Sequence, residues 1–387
     1  MSDFICLSCP NGCHLQADLQ PDGTVRVQGN KCDKGLAFAH AVIKKNTGAA
    51  AKVVAAQVKP VYDDIALTQI CTFWGVAFKK TRPTLMPAGS PERTLFRVVI
   101  EDDQQKFFVL ERIRPAAFHA KMKIIKTLEF LSRRGLSRIA PYWMGKEEQY
   151  IQEYKDGLWQ LVPFLPGEEL DRQTYLYDGW RAKVLSSFLI DLRAKSDGIA
   201  LYSLDERFSI KKYVYTLSAQ IKARHPELMS EVGRVISFLE AGFMPAHDSL
   251  PVAFCHGDYH PMNVIWGTDD IKAVIDWEFA GMKPEMYDLA NMVGCLGIEH
   301  PSSLTGDLVI GLTRQLKGAR LFEEVSWDFF LEFVIALRFA WLSEWLRKHD
   351  HEMVTMELDY MALLVDNKDE LKRLWGINNG SLTKEAV

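Results

Sequence analysis

The residues best suited to chemistry lie in two short segments. One is Phe254-Cys255-His256-Gly257-Asp258-Tyr259-His260-Pro261-Met262-Asn263-Val264-Ile265-Trp266. The other is Ala273-Val274-Ile275-Asp276-Trp277-Glu278. Asp258 sits in a loop between strand-like runs, Asn263 follows five residues on, and Asp276 closes another strand thirteen residues later. Phosphoryl transfer asks for a carboxylate to orient the attacking hydroxyl and accept its proton, and for Mg²⁺ held by hard oxygen ligands. Asp258 suits the base. Asn263 and Asp276 suit the metal, through an amide and a carboxylate oxygen. Glu278, two residues further along the same expected strand, would point with Asp276 and assist a second ion. His256 and His260, taken singly, read as structural histidines.

These residues need elements to hold them. Ile65, Ile70, Phe73 and Trp74 have helical spacing, so residues 62–75 read as a capping helix. Residues 82–114 read as three strands: one ends near Met86, a second is Thr94–Ile100, and the Glu101–Gln105 turn leads into the third, Phe107–Leu110. Residues 116–134 read as a helix with Met122, Ile125, Leu128 and Leu131 on one face. Strand-like runs at 149–154 and 159–162 flank Asp156-Gly157, and Pro163-Phe164-Leu165-Pro166-Gly167 ends the lobe. Beyond about residue 170 the pattern is helical, apart from a strand pair near 251–254 and 264–266 followed by 271–275. The run from Phe329 to Leu342, interrupted by Glu332 and Arg338, is too short to span a bilayer and reads as a core helix. The expected class is α+β and bilobal, a small β-rich lobe before a larger helical one. Its units are a Cys-rich segment at 1–43, a linker at 44–61, lobes at 62–166 and 167–375, and a flexible tail at 376–387.

The motif resembles that of the aminoglycoside phosphotransferase and choline kinase family, which shares the protein-kinase-like fold. The family pattern His-Gly-Asp-x-x-x-x-Asn, then Ile-Asp-(Trp/Phe)-Glu, is met at His256, Gly257, Asp258, Asn263, Ile275, Asp276, Trp277 and Glu278. Tyr287-Asp288-Leu289-Ala290 adds a further family feature, and the resemblance makes Asp288 the brace of the catalytic loop. It covers about residues 65–365. It implies transfer of the terminal phosphoryl group of ATP or GTP, with Mg²⁺, to a hydroxyl of a sugar, polyol, amino alcohol or choline-like molecule. It also places a nucleotide hinge at Val162–Leu165, with Pro163 and Leu165 contributing backbone groups, and an acceptor pocket on the large lobe. Candidates for that pocket are Glu332, Arg338, Trp341, Glu344 and Trp345, which also read as core aromatics and helix-surface charges.

One position departs from the family. The lysine that grips the α/β-phosphates falls on Glu111, and the helix glutamate that should pair with it falls on Glu129, a repulsive combination. Arg112, Arg114 or Lys106 could supply the charge, since Arg binds phosphate in a bidentate fork. Backbone N–H groups of the turn containing Ser90 and Arg93 could face phosphate. The other reading of Glu111 is a catalytically silent nucleotide-binding scaffold. Only eleven residues separate Asp276 from Asp288 and no Ala-Pro-Glu segment is present, which disfavours a protein kinase.

Four of the seven cysteines, Cys6, Cys9, Cys13 and Cys32, lie in the first 32 positions. Such a set suits Zn²⁺ or an iron–sulfur cluster. With Cys-Pro-x-Gly-Cys and Gly-Asn-x-Cys elements, the segment resembles a small four-cysteine domain found alongside flavin-dependent dehydrogenases, which implies an oxidoreductase partner. A free-thiol remnant is the plainer alternative. The whole chain of 387 residues carries 46 basic and 50 acidic side chains, a formal charge of −4. That balance argues against a nucleic-acid or anionic-membrane surface. Met1-Ser2-Asp3 lacks a basic leader, so a cytoplasmic protein is expected.

Overall fold

The computed structural model describes residues 2–5, 14–20, 24–29, 36, 39–40, 62–85, 94–172, 174–199 and 208–377. The four clustered cysteines, the 44–61 linker and the turn with Ser90 and Arg93 lie outside the described residues. The chain divides into two compact units, Met1–Asp63 and Asp64–Val387. In the first, β1 (Ser2–Ile5), β2 (His14–Leu19) and β3 (Val25–Gln28) form an antiparallel sheet in chain order. Leu15, Ala17, Val25 and Ala39 supply its small core.

The second unit opens with helix α1 (Asp64–Cys71), as its apolar spacing implies. A five-stranded antiparallel sheet follows, in the order β4-β5-β6-β8-β7. Its strands are β4 (Phe78–Thr81), β5 (Thr94–Asp102), β6 (Phe107–Ile113), β7 (Ile151–Tyr154) and β8 (Gly157–Pro163). β4 stops well short of the expected Met86. Pro83 has no N–H for a ladder, and Pro83–Leu85 forms a 3₁₀ turn instead. Between β6 and β7 lies α2 (Phe118–Arg133), with Ile124, Ile125, Leu128 and Leu131 buried beside Lys121.

The larger part is helical: α3 (Gly179–Lys195), α4 (Ile210–Arg224), α5 (Met229–Glu240), α6 (Phe243–Ala246), α7 (Tyr287–Glu299), α8 (Asp307–Gly318), α9 (Glu324–Asp328), α10 (Phe330–Lys348), α11 (His351–Asp366) and α12 (Lys368–Leu374). Side-chain caps set two of the starts. Ser209 accepts from Lys212 N–H at α4, and Asp350 accepts from Met353 N–H at α11, each at 3.2 Å. No described helix is long and apolar enough to cross a membrane.

Two small sheets hold the chemistry-bearing segments. β9 (Val252–Cys255) pairs with β12 (Gly281–Pro284), and β10 (Val264–Trp266) pairs with β11 (Ile271–Val274). β9 therefore does not pair with β10 as the sequence suggested. Gly-Met-Lys-Pro carries no β signal, so β12 was not visible as its partner. At the end of the described residues Ile377 is buried and Trp375 Nε1 donates to Leu304 O at 2.8 Å; the rest of the expected tail, 378–387, lies outside the described residues.

Two acceptor candidates are buried inside this part. Arg338 is buried and donates to both carboxylate oxygens of buried Glu357, at 2.5 and 2.8 Å. Glu332, also buried, accepts from Lys372 at 2.7 Å. Removing one member of a buried ion pair strands the other charge in low dielectric, which costs about 3–5 kcal/mol. Glu357→Leu should therefore lower stability by about that much in denaturant titration, while Glu357→Leu/Arg338→Met should recover most of the loss.

Candidate active site

The loop after β9 is fixed from below. Asp288, in the first turn of α7, is buried and faces two amides: His256 N–H donates to Oδ2 at 2.7 Å and Gly257 N–H donates to Oδ1 at 2.8 Å. Burial pushes this carboxyl up to about 6, against the pull of those two amides and of Lys283. The loop is pinned again one residue beyond Asp258. Tyr259 is fully buried, its hydroxyl donates to Leu185 O at 3.2 Å, and its ring stacks on Phe188. Asn291 Nδ2 donates to Tyr259 O at 3.2 Å.

Gly257 is required twice over. Its φ is +82°, and a Cβ there would stand 2.1 Å from Phe279 O and 2.6 Å from Lys283 Cε. The loop thus lies directly against the turn that follows Asp276.

His256 ties the two segments together. Its Nδ1 accepts from Asp258 N–H at 3.2 Å, which leaves Nε2–H to donate to Ile275 O at 3.0 Å. The ring is buried and its pKa falls to about 4, chiefly by desolvation, so it is neutral near pH 7. Ile275 N–H in turn donates to Asn263 O at 2.9 Å. Asn263 Nδ2 donates to Asp258 O and Oδ2, both at 2.9 Å. With its amide nitrogen committed there, Asn263 keeps Oδ1, a hard oxygen suited to Mg²⁺. Burial raises the Asp258 carboxyl, but His260, His256 and Asn263 outweigh it and hold it below its ordinary range. His260 Nε2 lies 3.6 Å from Asp258 Oδ2. This contact has no signature in the sequence, where a lone histidine carries no signal of its partners.

Asp276 adopts a left-handed conformation, φ +62° and ψ +64°, after β11 has ended at Val274. Residues Trp277–Phe279 then form a 3₁₀ turn. Glu278 therefore does not continue a strand beside Asp276. Its Oε1 accepts from Lys121 Nζ of α2 at 2.5 Å. Among the described residues no group of three or more His, Cys, Asp and Glu side chains is gathered as a metal cage. Mg²⁺ in triphosphate sites commonly uses one or two protein carboxylates plus phosphate and water, and the Asn263–Asp276 donor set fits that chemistry.

The small-lobe candidates are placed differently from expectation. Buried Glu111 on β6 is held by Arg97 and Gln160. Glu129 pairs with Arg133 on its own helix, so Glu111 and Glu129 each have their own cationic partner. Arg112 projects from the opposite face of β6 and lies 3.3 Å from Asp156 Oδ1. Lys106 sits in the hairpin turn, its N–H donating to Asp102 Oδ1 at 2.7 Å. At the hinge, Pro163 has no N–H and Phe164 N–H donates to Phe107 O at 2.9 Å, so Leu165 carries the remaining donor of those three. On the large lobe, the Trp341 ring lies 6.1 Å from that of His260 and stacks on Trp345 at 5.9 Å. Glu344 is engaged by Arg347 and Lys348 on its own helix.

The clamp by Asp288 needs an oxygen at both positions. In Asp288→Asn one loop N–H would face an NH₂ group, at a cost of about 1–3 kcal/mol. A matching loss in denaturant titration, with a fall in turnover, is expected. Gly257→Ala should lose turnover by displacing the Phe279 turn, and a melting curve should show it destabilised.

The profile of the phosphotransferase enzyme family matches residues 91–322. Among curated proteins, acyl-CoA dehydrogenase family member 10 of Mus musculus is 29% identical over 161 residues, covering 40% of this chain and 14% of that protein. The chain thus spans about one seventh of that relative's length. Among solved structures, an aminoglycoside phosphotransferase from Alicyclobacillus acidocaldarius aligns over 81% of this chain and 96% of its own, with 14% identity and a TM-score of 0.55. Amicoumacin kinase hAmiN, solved with AMP-PNP, Ca²⁺ and Ami, aligns over 82% and 96%, with 13% identity and a TM-score of 0.57. These likenesses are of fold, a small sheet-bearing lobe and a helical lobe, while the match over residues 91–322 is one of sequence: the chain belongs to the phosphotransferase enzyme family.

Proposed function

We propose that this chain transfers the terminal phosphoryl group of ATP or GTP to the hydroxyl of a small molecule. The observation that carries the reading is the loop in which Asn263 holds Asp258 by two hydrogen bonds while Ile275, one residue before Asp276, is bonded to Asn263. Asp258 orients the hydroxyl and receives its proton. A carboxyl held below its usual range stays ionised at neutral pH, which suits it to that task. Asn263 Oδ1 and the Asp276 carboxylate would hold Mg²⁺, which supplies charge neutralisation at the transferring phosphoryl group. Asp288 positions the loop. Leu165 N–H and the hinge carbonyls serve the nucleotide base.

The acceptor hydroxyl would approach Asp258 from the side of His260 and the stacked Trp341–Trp345 pair. That wall supports a sugar, polyol, amino alcohol or choline-like acceptor, since tryptophan faces favour apolar ring faces and cationic nitrogens. The silent-scaffold reading rests on Glu111, and an intact Asp258–Asn263–Asp276 set argues against it.

Purified protein incubated with Mg²⁺, ATP or GTP and a panel of hydroxyl compounds should phosphorylate members of the panel. Chelation of divalent cations should stop the reaction. Asp258→Ala should lower turnover by about 10² or more. Nucleotide binding without turnover on any acceptor would favour the scaffold.

A further inference from the structure

Glu111 leaves the β6 strand without the cation that a triphosphate site needs, but the helix beside it carries one. Lys121, in the first turn of α2, is buried, its side chain 9% exposed. Its Nζ is 2.5 Å from Glu278 Oε1, and it also feels the charge of Glu111 and the hydroxyl of Tyr142. An ammonium with so little water around it would be costly without acidic partners. Here they come from two other elements, the strand and the turn after Asp276. Burial alone would lower this lysine, yet Tyr142, Glu278 and Glu111 together raise it, so it is charged at neutral pH.

The arrangement is a charge exchange. The acid stands on the strand, locked by Arg97 and Gln160, and the base stands on the helix. The ammonium touches Glu278, two residues beyond the proposed metal ligand Asp276. A lysine stem is long and flexible, so a small rotation would move this point charge from a carboxylate to a phosphate oxygen beside it.

We propose that Lys121 is the phosphate-binding cation of this chain, delivered from α2 in place of β6 and parked on Glu278 until a triphosphate displaces that contact. Glu111, itself held by Arg97 and Gln160, then adds a longer-range attraction for the ammonium, so the strand carries the acid and the helix the base. This rests on the phosphotransferase reading above and assigns the residue that makes it workable.

The test compares nucleotide and nucleoside. Calorimetry on the full chain, with Mg²⁺, would measure binding of ATP and GTP beside adenosine and guanosine. Lys121→Met should weaken the triphosphate by about 10–100-fold, the scale of one charged hydrogen bond, and leave the nucleoside unchanged. Lys121→Arg should retain most of the affinity. A merely structural lysine would weaken both ligands alike. Equal triphosphate affinity in wild type and Lys121→Met overturns the proposal and leaves the phosphotransferase reading standing. No binding of either triphosphate to wild type overturns both.

A second measurement needs no variant and decides the matter should Lys121→Met fail to fold. An acyl-phosphate ester of ATP or GTP is offered to the wild-type chain. A lysine amine near the phosphates attacks the acyl carbonyl, the acyl–phosphate bond breaks, the nucleotide leaves and the lysine keeps an amide detectable by mass spectrometry. Labelling of Lys121 that excess MgATP or MgGTP suppresses supports the proposal. Suppressible labelling confined to another lysine, such as Lys123 on the same helix or the buried Lys283 on β12, overturns it.

Discussion

The loop that carries Asp258 depends on one carboxylate, that of Asp288, accepting from two successive backbone amides. Those two bonds fix the path of His256 and Gly257, and therefore where Asp258 begins. Everything else in the site is built outward from that clamp. The left-handed turn at Gly257 lets the loop lie against Phe279, and the neutral His256 ring couples it to the strand end that carries Asp276. Asn263 then closes the circuit by holding Asp258 with its side chain and Ile275 with its carbonyl. Each member is buried or half-buried, so its hydrogen bonds are not in competition with water, and loss of one leaves a stranded partner.

A second constraint is electrostatic. The small lobe must bring positive charge toward a triphosphate tail without leaving a bare ammonium in a low-dielectric region. A strand lysine paired with a helix glutamate meets that need in related kinases. In the arrangement proposed above the acid stands on the strand and the base on the helix, with Glu111 close enough to Lys121 to raise it electrostatically. Glu111, which reads as a defect in one dimension, becomes a partner in three.

Much of this was legible in the sequence. Asp258, Asn263 and Asp276 stand out in the sequence because their types and spacing are tied to a specific chemistry, and the hydrogen bonds among Asp258, Asn263 and Ile275 show only in the fold. The sheet strands β5, β6 and β8 and helix α2 were visible from alternation and from helical spacing. The failures have physical causes. β12 was hidden because a Gly-Met-Lys-Pro strand is made by its neighbour β9 rather than by propensity. Glu278 reads as part of a strand because period-two alternation presupposes an extended backbone, and the left-handed Asp276 breaks that condition. Lys121 is hard to find in the sequence because a lysine on the apolar face of a helix looks like an exception until its acidic partner Glu278, 157 residues away, is placed beside it. The aromatic pair Trp341–Trp345 was visible by spacing, whereas the burial of Arg338 against Glu357 depended on a helix that the sequence could not orient.

In the proposed reaction Asn263 and Asp276 present their oxygens to one cation that also touches a triphosphate. Electron paramagnetic resonance of Mn²⁺ in the full chain, with a non-hydrolysable ATP or GTP analogue, measures this directly. Phosphorus hyperfine coupling on a protein-bound ion is expected, with loss of that bound species in Asp276→Ala. An ion that binds the chain and the nucleotide equally well without Asp276, or that shows no phosphorus coupling in the wild type, would contradict it.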